Sequence, residues 1–179
     1  MTPTNILDFW FNELTPKHHF AKDAALDEAI RTRFGATLEA AARCELFAWR
    51  ATPEGRLAEL LVLDQFSRNV YRDTARAFAQ DALALVLAQE LVASGQDRSL
   101  LTAQRVFAYM PYMHSESAVI HEQALELFAQ PGMENNLDFE RRHKAIIDRF
   151  GRYPHRNAIL GRESTAEESE FLKQPGSSF

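Results

Sequence analysis

The chain has 179 residues, 46% hydrophobic and 25% charged, with a formal net charge of −5. That is the length of one domain able to bury a core of its own. Seven Gly and seven Pro exclude a fibrous or disordered chain. The single cysteine excludes an internal disulfide and an all-cysteine metal site, and it fits a reducing compartment. No stretch approaches the roughly 20 apolar residues of a membrane helix, and Met1 to Trp10 lacks the basic region and apolar core of a secretory signal. The protein therefore reads as soluble and cytoplasmic, with no membrane partner.

Helical periodicity runs along almost the whole chain. Ile6, Leu7, Trp10 and Leu14 share one face of a first helix, and Leu26, Ile30, Phe34, Leu38 and Ala42 form the stripe of a second. Leu57, Leu60, Leu61 and Leu63 open a very apolar third helix. A fourth runs from about Ala75 through Val92, with Gly95 placed for a left-handed C-terminal cap. Leu100 to Met110 forms a fifth, interrupted near Pro111. Ser117 to Ala129 is a sixth, ended by Gln130-Pro131-Gly132, and Phe139 to Phe150 a seventh, ended by Gly151. Thr165 and Glu168 fit a capping box that opens a last short helix. No window alternates as a strand does, so the fold class is all-α with about seven to nine helices and no sheet. Short connections favour antiparallel neighbours. One helical domain is expected over residues 1–173, with a flexible tail over 174–179.

Three segments place polar residues where packing does not ask for them. In the first, the apolar run Leu60 to Leu63 implies neighbours on all sides, yet Asp64, Arg68 and Arg72 follow at four-residue spacing, with Gln65 and Asn69 beside them. An exposed stripe with a weak Asp64–Arg68 pair is the plainer reading. A polar strip inside a central helix, serving a ligand, is the sharper one. In the second, His114, Ser115 and Glu116 follow the expected break at Pro111, with Ser115 or Ser117 available as a cap. His121 reads as an ordinary exposed helical histidine. In the third, residues Arg141 to Arg162 contain six Arg and one Lys against one Asp, inside an acidic protein. The helix dipole explains Arg149 and Arg152 but not Arg156 and Arg162, whose guanidinium groups suit carboxylate or phosphate.

Together these segments, Leu63-Asp64-Gln65-Phe66-Ser67-Arg68-Asn69-Val70-Tyr71-Arg72, Tyr112-Met113-His114-Ser115-Glu116-Ser117 and Phe150-Gly151-Arg152-Tyr153-Pro154-His155-Arg156-Asn157, resemble the signature blocks of domain-of-unknown-function family 924. The resemblance spans nearly the whole chain, from Ile6 to Leu172. It implies paired antiparallel helices in a right-handed array like that of tetratricopeptide-repeat proteins, and no established activity. Ser67 stands where the family pattern has proline.

The pooled residues point to an intracellular pocket for a small anionic metabolite carrying phosphate or carboxylate. Asp64, Gln65, Arg68, Asn69, Arg72, Arg152, Arg156 and Asn157 would bind it, and His114, Glu116 and His155 would carry acid/base, hydrolytic chemistry. A repeat-like module binding a peptide or protein, without catalysis, is the competing reading. Nucleic-acid binding rests only on the Arg141–Arg162 stretch, and the overall charge opposes it. No close ligand pair supports a metal, though His114, Glu116 and His143 carry suitable donors; no cofactor is expected. Cys44, on an Ala-rich helix, reads as an inert core thiol.

Overall fold

The computed structural model describes residues 1–178, and among them it is all-helical, with no strand. Helix α1 (Pro3–Asp8) opens on a Thr2–Asn5 capping box and runs directly into a π-helical turn, Phe9–Glu13. A short α2 (Pro16–Phe20) comes next, where His19 stacks on Trp10 at 4.6 Å. Helix α3 (Ala24–Ala42) starts at Asp23, whose carboxylate accepts from the Ala25 and Leu26 amides. After a 3₁₀ turn, α4 (Pro53–Leu61), a π turn (Val62–Phe66) and α5 (Ser67–Val70) form one continuous helix. A second 3₁₀ turn leads to α6 (Asp81–Ala93), capped beyond its end by Gly95 at φ +70° as its spacing requires. Then come a 3₁₀ turn (Gln96–Ser99), α7 (Thr102–Met113), α8 (Ala118–Phe128) and α9 (Glu134–Phe150). A loop with one 3₁₀ turn (Pro154–Arg156) connects α9 to α10 (Ala166–Phe171).

The α4–α5 helix is the axis of the molecule. Every residue from Leu57 to Ser67 is buried, because α1, α3, α6 and α7 pack around it. Leu57, Ala58, Leu60, Leu61, Val62, Leu63 and Phe66 carry the central core, and each fully buried aliphatic side chain there contributes roughly 1.5–3 kcal/mol. Beyond it, α6, α7, α8 and α9 pack as successive neighbours. A smaller cluster of Ile146, Ile147, Tyr153, Phe150 and Phe171 ties the end of α9 to the loop after it and to α10.

The structure departs from the sequence expectations in several places, among them the fourth helix, which starts at Asp81 after a 3₁₀ turn over Ala75–Phe78 rather than at about Ala75. Helix α7 continues through Pro111 to Met113, because buried Met110, Tyr112 and Met113 hold its last turn in the core despite the missing N–H. Cys44 is exposed at φ +59°, one residue past the C-cap of α3, so it is not a core thiol. His121 is fully buried rather than exposed, because α9 covers that face of α8 and supplies Glu140. Beyond α10, the Ser177 hydroxyl donates to Leu172 O at 3.1 Å; Phe179 lies outside the described residues. Among the described residues, no helix is long and apolar enough to cross a membrane.

Candidate functional site

A π turn and the end of the helix that follows it shape the first polar segment. A five-residue turn inserts one extra residue and rotates the remainder of the helix by about 100° relative to a regular one. Asp64 and Gln65 lie in that turn, Arg68 just beyond it, and Arg72 past the end of α5. Arg68 and Arg72 both follow the π turn, and the end of α5 at Val70 separates them, so the stripe expected from spacing splits in two. Arg72 donates to Asp27 of α3 at 2.5 and 2.7 Å, and Asn69 donates to the same carboxylate at 2.8 Å. Asp64, Gln65 and Arg68 turn instead toward α6 and α7.

There, the end of α7 and the loop after α9 meet them. His114 Nδ1 lies 2.7 Å from Asp64 Oδ1, and Gln65 Nε2 donates to Asp64 Oδ2 at 2.5 Å. Burial pushes the Asp64 carboxyl up, but the charges of Arg68 and His114 and the hydrogen bonds from His114 and Gln65 outweigh it and hold the group well below the carboxylate range. The His114 imidazole is held below its ordinary value, first by burial and then by Arg68, against the pull of Asp64. An ionised carboxylate only accepts, so a neutral His114 carries its proton on Nδ1, and Nε2 presents a lone pair. Among the described residues, the His114 ring has no other hydrogen-bond partner.

Two guanidinium groups share one further carboxylate, Asp81, at the first position of α6. Arg68 binds both its oxygens, at 2.8 and 3.0 Å, and also reaches Asp64 O at 2.9 Å. Arg156 reaches Asp81 Oδ2 at a longer 3.3 Å and His114 O at 3.0 Å, and its plane lies 4.6 Å from the rings of both Phe78 and Tyr153. Arg156 is 6% exposed, and its Nε is buried without a hydrogen-bond partner. Burial, and then the charge of Arg68, lower its pKa, whereas Asp64 and Asp81 raise that of Arg68. Arg156 is thus a buried cation only partly neutralised by the protein. A cleft of about 390 Å³ opens beside these groups, walled by Phe78, Asp81, Leu85, Pro111, His114, Ser115, Glu116, Arg156 and Leu160 among others.

Glu116 borders the cleft but is committed to the loop: it accepts from Tyr153 N at 2.7 Å and from Arg162 at 2.6 and 2.9 Å. Burial raises its carboxyl, and these donors more than reverse the effect. Asn157 accepts from Arg162 Nε and donates to Ser164, both at 3.0 Å. Arg152 clamps Glu168 at 2.7 and 2.8 Å, within the Thr165–Glu168 capping box. His155 leans on Tyr153 at 5.6 Å rather than lining the cleft, and burial and then Arg156 bring its pKa to about 4. His143 is buried beside Tyr153, with Nδ1 2.8 Å from Phe139 O, and burial lowers it to about 3. The sequence-selected set therefore divides. Asp64, Gln65, Arg68, His114, Glu116 and Arg156 converge on one place, while Asn69, Arg72, Arg152, Asn157 and His155 serve other contacts.

Two groups that matter here were not legible in sequence. Asp81 looks like an ordinary acid in the first turn of a helix, and only folding brings it between two arginines. His121 holds Ser115 O at 2.8 Å through Nε2 and faces Glu140 at 2.5 Å through Nδ1, which supports the α7–α8 corner from beneath. Among the described residues, no three His, Cys, Asp or Glu side chains converge as ligands for a metal ion.

The solved structure of a protein of unknown function from Agrobacterium tumefaciens, ATU0120, is similar throughout: 41% identity, a TM-score of 0.91, and 96% of each chain covered. No curated protein matches significantly. The family model described as bacterial protein of unknown function (DUF924) matches residues 6–176, and the chain belongs to that family.

Proposed function

We propose that the cleft beside His114 binds a small anionic metabolite, bearing phosphate or carboxylate, and carries out acid/base chemistry on it, hydrolysis being the best fit. The observation that carries this reading is Arg156: a buried guanidinium on the cleft wall with an unpaired Nε and a single, long contact to a carboxylate it shares with Arg68. Placing an anion there restores the missing compensation, and a planar fork suits both carboxylate and phosphate. His114 stands on the same wall with its Nδ1–H committed to Asp64. Its Nε2 can take a proton from water or a substrate hydroxyl, while the ionised Asp64 holds the ring's tautomer and stabilises the imidazolium that forms. Arg156 then faces the negative charge that develops on the substrate. An interaction module would spread its charges along an open groove; here three segments distant in sequence gather them in one cleft.

The test is a thermal-shift and calorimetric screen with inorganic phosphate and a panel of carboxylated and phosphorylated metabolites. Stabilisation by an anion that disappears in Arg156→Ala is the expected result. His114→Asn should keep the binding and abolish any turnover. No stabilising anion, or equal stabilisation of Arg156→Ala, would overturn the reading.

A further inference from the structure

A second cavity, of about 370 Å³, lies away from the His114 cleft, walled by Val92, Asp97, Arg98, Arg105, Leu127 and Gln130. These residues come from the end of α6, the 3₁₀ turn after it, the N-terminal half of α7, and the end of α8 with the turn beyond. Arg105 and His114 are nine positions apart on α7, about 13 Å along its axis at 1.5 Å per residue. The two sites thus occupy opposite ends of one helix.

The polar groups here are under-satisfied in a specific way. Asp97 is only 5% exposed; its Oδ2 accepts from the Tyr109 hydroxyl at 2.6 Å, but its Oδ1 is buried with no hydrogen-bond partner. Arg105 donates from Nη2 to Thr102 Oγ1 at 3.2 Å, while its Nε is buried and unpartnered. Asp97 and two guanidinium groups, Arg98 and Arg105, line one cavity, yet none of the three forms an ion pair among the described residues. Unpaired buried groups of this kind are costly, and a ligand that pairs with both charges is favoured there. A single water fills about 30 Å³, a small part of this volume. The negative charge is felt along α7: burial, with Asp97 adding to it, pushes the hydroxyls of Tyr109 and Tyr112 up to about 12.

A simple cation would satisfy Asp97 and be repelled by Arg98 and Arg105; a simple anion would meet the reverse. Only a ligand with both charges answers both walls, and Val92 and Leu127 leave room for an apolar stem between or beside them. We propose that this cavity is a second small-molecule site, independent of the His114 cleft, that takes a free amino acid: its protonated amine on Asp97 Oδ1, its carboxylate on Arg105, its side chain against Val92 and Leu127.

The proposal is tested by titrating the full chain with glycine, leucine, β-alanine and γ-aminobutyrate, which vary the stem and the spacing between the charges. Isobutylamine and isovalerate serve as single-charge controls. Binding is read by calorimetry and by NMR of the Tyr109 ring, which needs no variant. At least one amino acid should bind with a shifted Tyr109 signal, and both controls should bind at least tenfold more weakly. Asp97→Asn retains an oxygen for the Tyr109 hydroxyl, and Arg105→Gln lies on a partly exposed helix position; each should weaken amino-acid binding tenfold or more. The proposal is overturned if no member of the series binds, if either control binds equally well, or if both folded variants keep full affinity.

Discussion

Replacing Asp64 by Asn tests the centre of the cleft most directly. The carboxylate accepts three charge-assisted contacts: from His114 at 2.7 Å, Gln65 at 2.5 Å and Arg68 at 3.1 Å. The amide keeps one acceptor oxygen and sets an N–H₂ against donors on the other side. About two contacts are lost, each worth roughly 1.5–3 kcal/mol when one partner is charged. Relief of burying a charge offsets part of this, and Arg68 keeps both oxygens of Asp81. The expected net cost at pH 7 is about 2–4 kcal/mol, read as a drop of roughly 5–15 °C in Tm for a domain of this size. The sign of the pH dependence comes from the folded pKa of Asp64, which lies below its unfolded value near 3.9. The unfolded chain then binds the extra proton as pH falls, so the carboxylate's contribution is whole above about pH 5 and drains away in acid. The gap between wild type and Asp64→Asn should narrow by about 1 kcal/mol between pH 7 and pH 3. Imidazole ¹⁵N spectra should show His114 as the Nδ1–H tautomer in the wild type and as a mixture in the variant. A loss under about 1 kcal/mol, taking 1.36 kcal/mol per tenfold as the scale, together with an unchanged tautomer, would refute the buried dyad.

Three other contacts carry outcomes of their own. His143, folded near pH 3, is charged in the unfolded chain below about pH 6.5, so acid favours unfolding in that window; urea titrations between pH 6 and 4 should lose about 1.4 kcal/mol per pH unit of slope in His143→Gln relative to wild type. Gly55→Ala should destabilise by more than about 2 kcal/mol, because a Cβ there would sit 1.9 Å from the Trp49 carbonyl oxygen, whereas Gly35→Ala meets nothing within 4 Å inside α3 and should stabilise by about 0.5–1 kcal/mol; equal Tm values for the two would be the contrary result. Glu116→Ala should release the loop that carries Arg156, seen as faster hydrogen exchange at the Tyr153 amide and weaker anion binding at the cleft, with little change at the α4–α5 core.

Local chemistry made much of this protein legible in its sequence. The helical periods, the left-handed glycines at Gly95 and Gly151, and the Thr165–Glu168 capping box depend on residues within a few positions of one another, and each lies where its spacing demands. The all-apolar approach to Asp64 likewise marked a central helix with polar cargo, and His114 and Arg156 stood out because nothing local used them. Tertiary structure decided the rest. The end of α5 at Val70, after the π turn at Val62–Phe66, divided one apparent stripe between Asp27 and His114, and no periodicity within the segment announces either break. Asp81 and Asp97 resemble any acid near a helix start, and become distinctive only through what folding leaves beside them: two arginines in one case and, among the described residues, no ion-pair partner in the other. Backbone preference is set by neighbours in the chain, so sequence alone could specify the helices. The state of a buried charge is set by neighbours in space, and those exist only once the helices have packed.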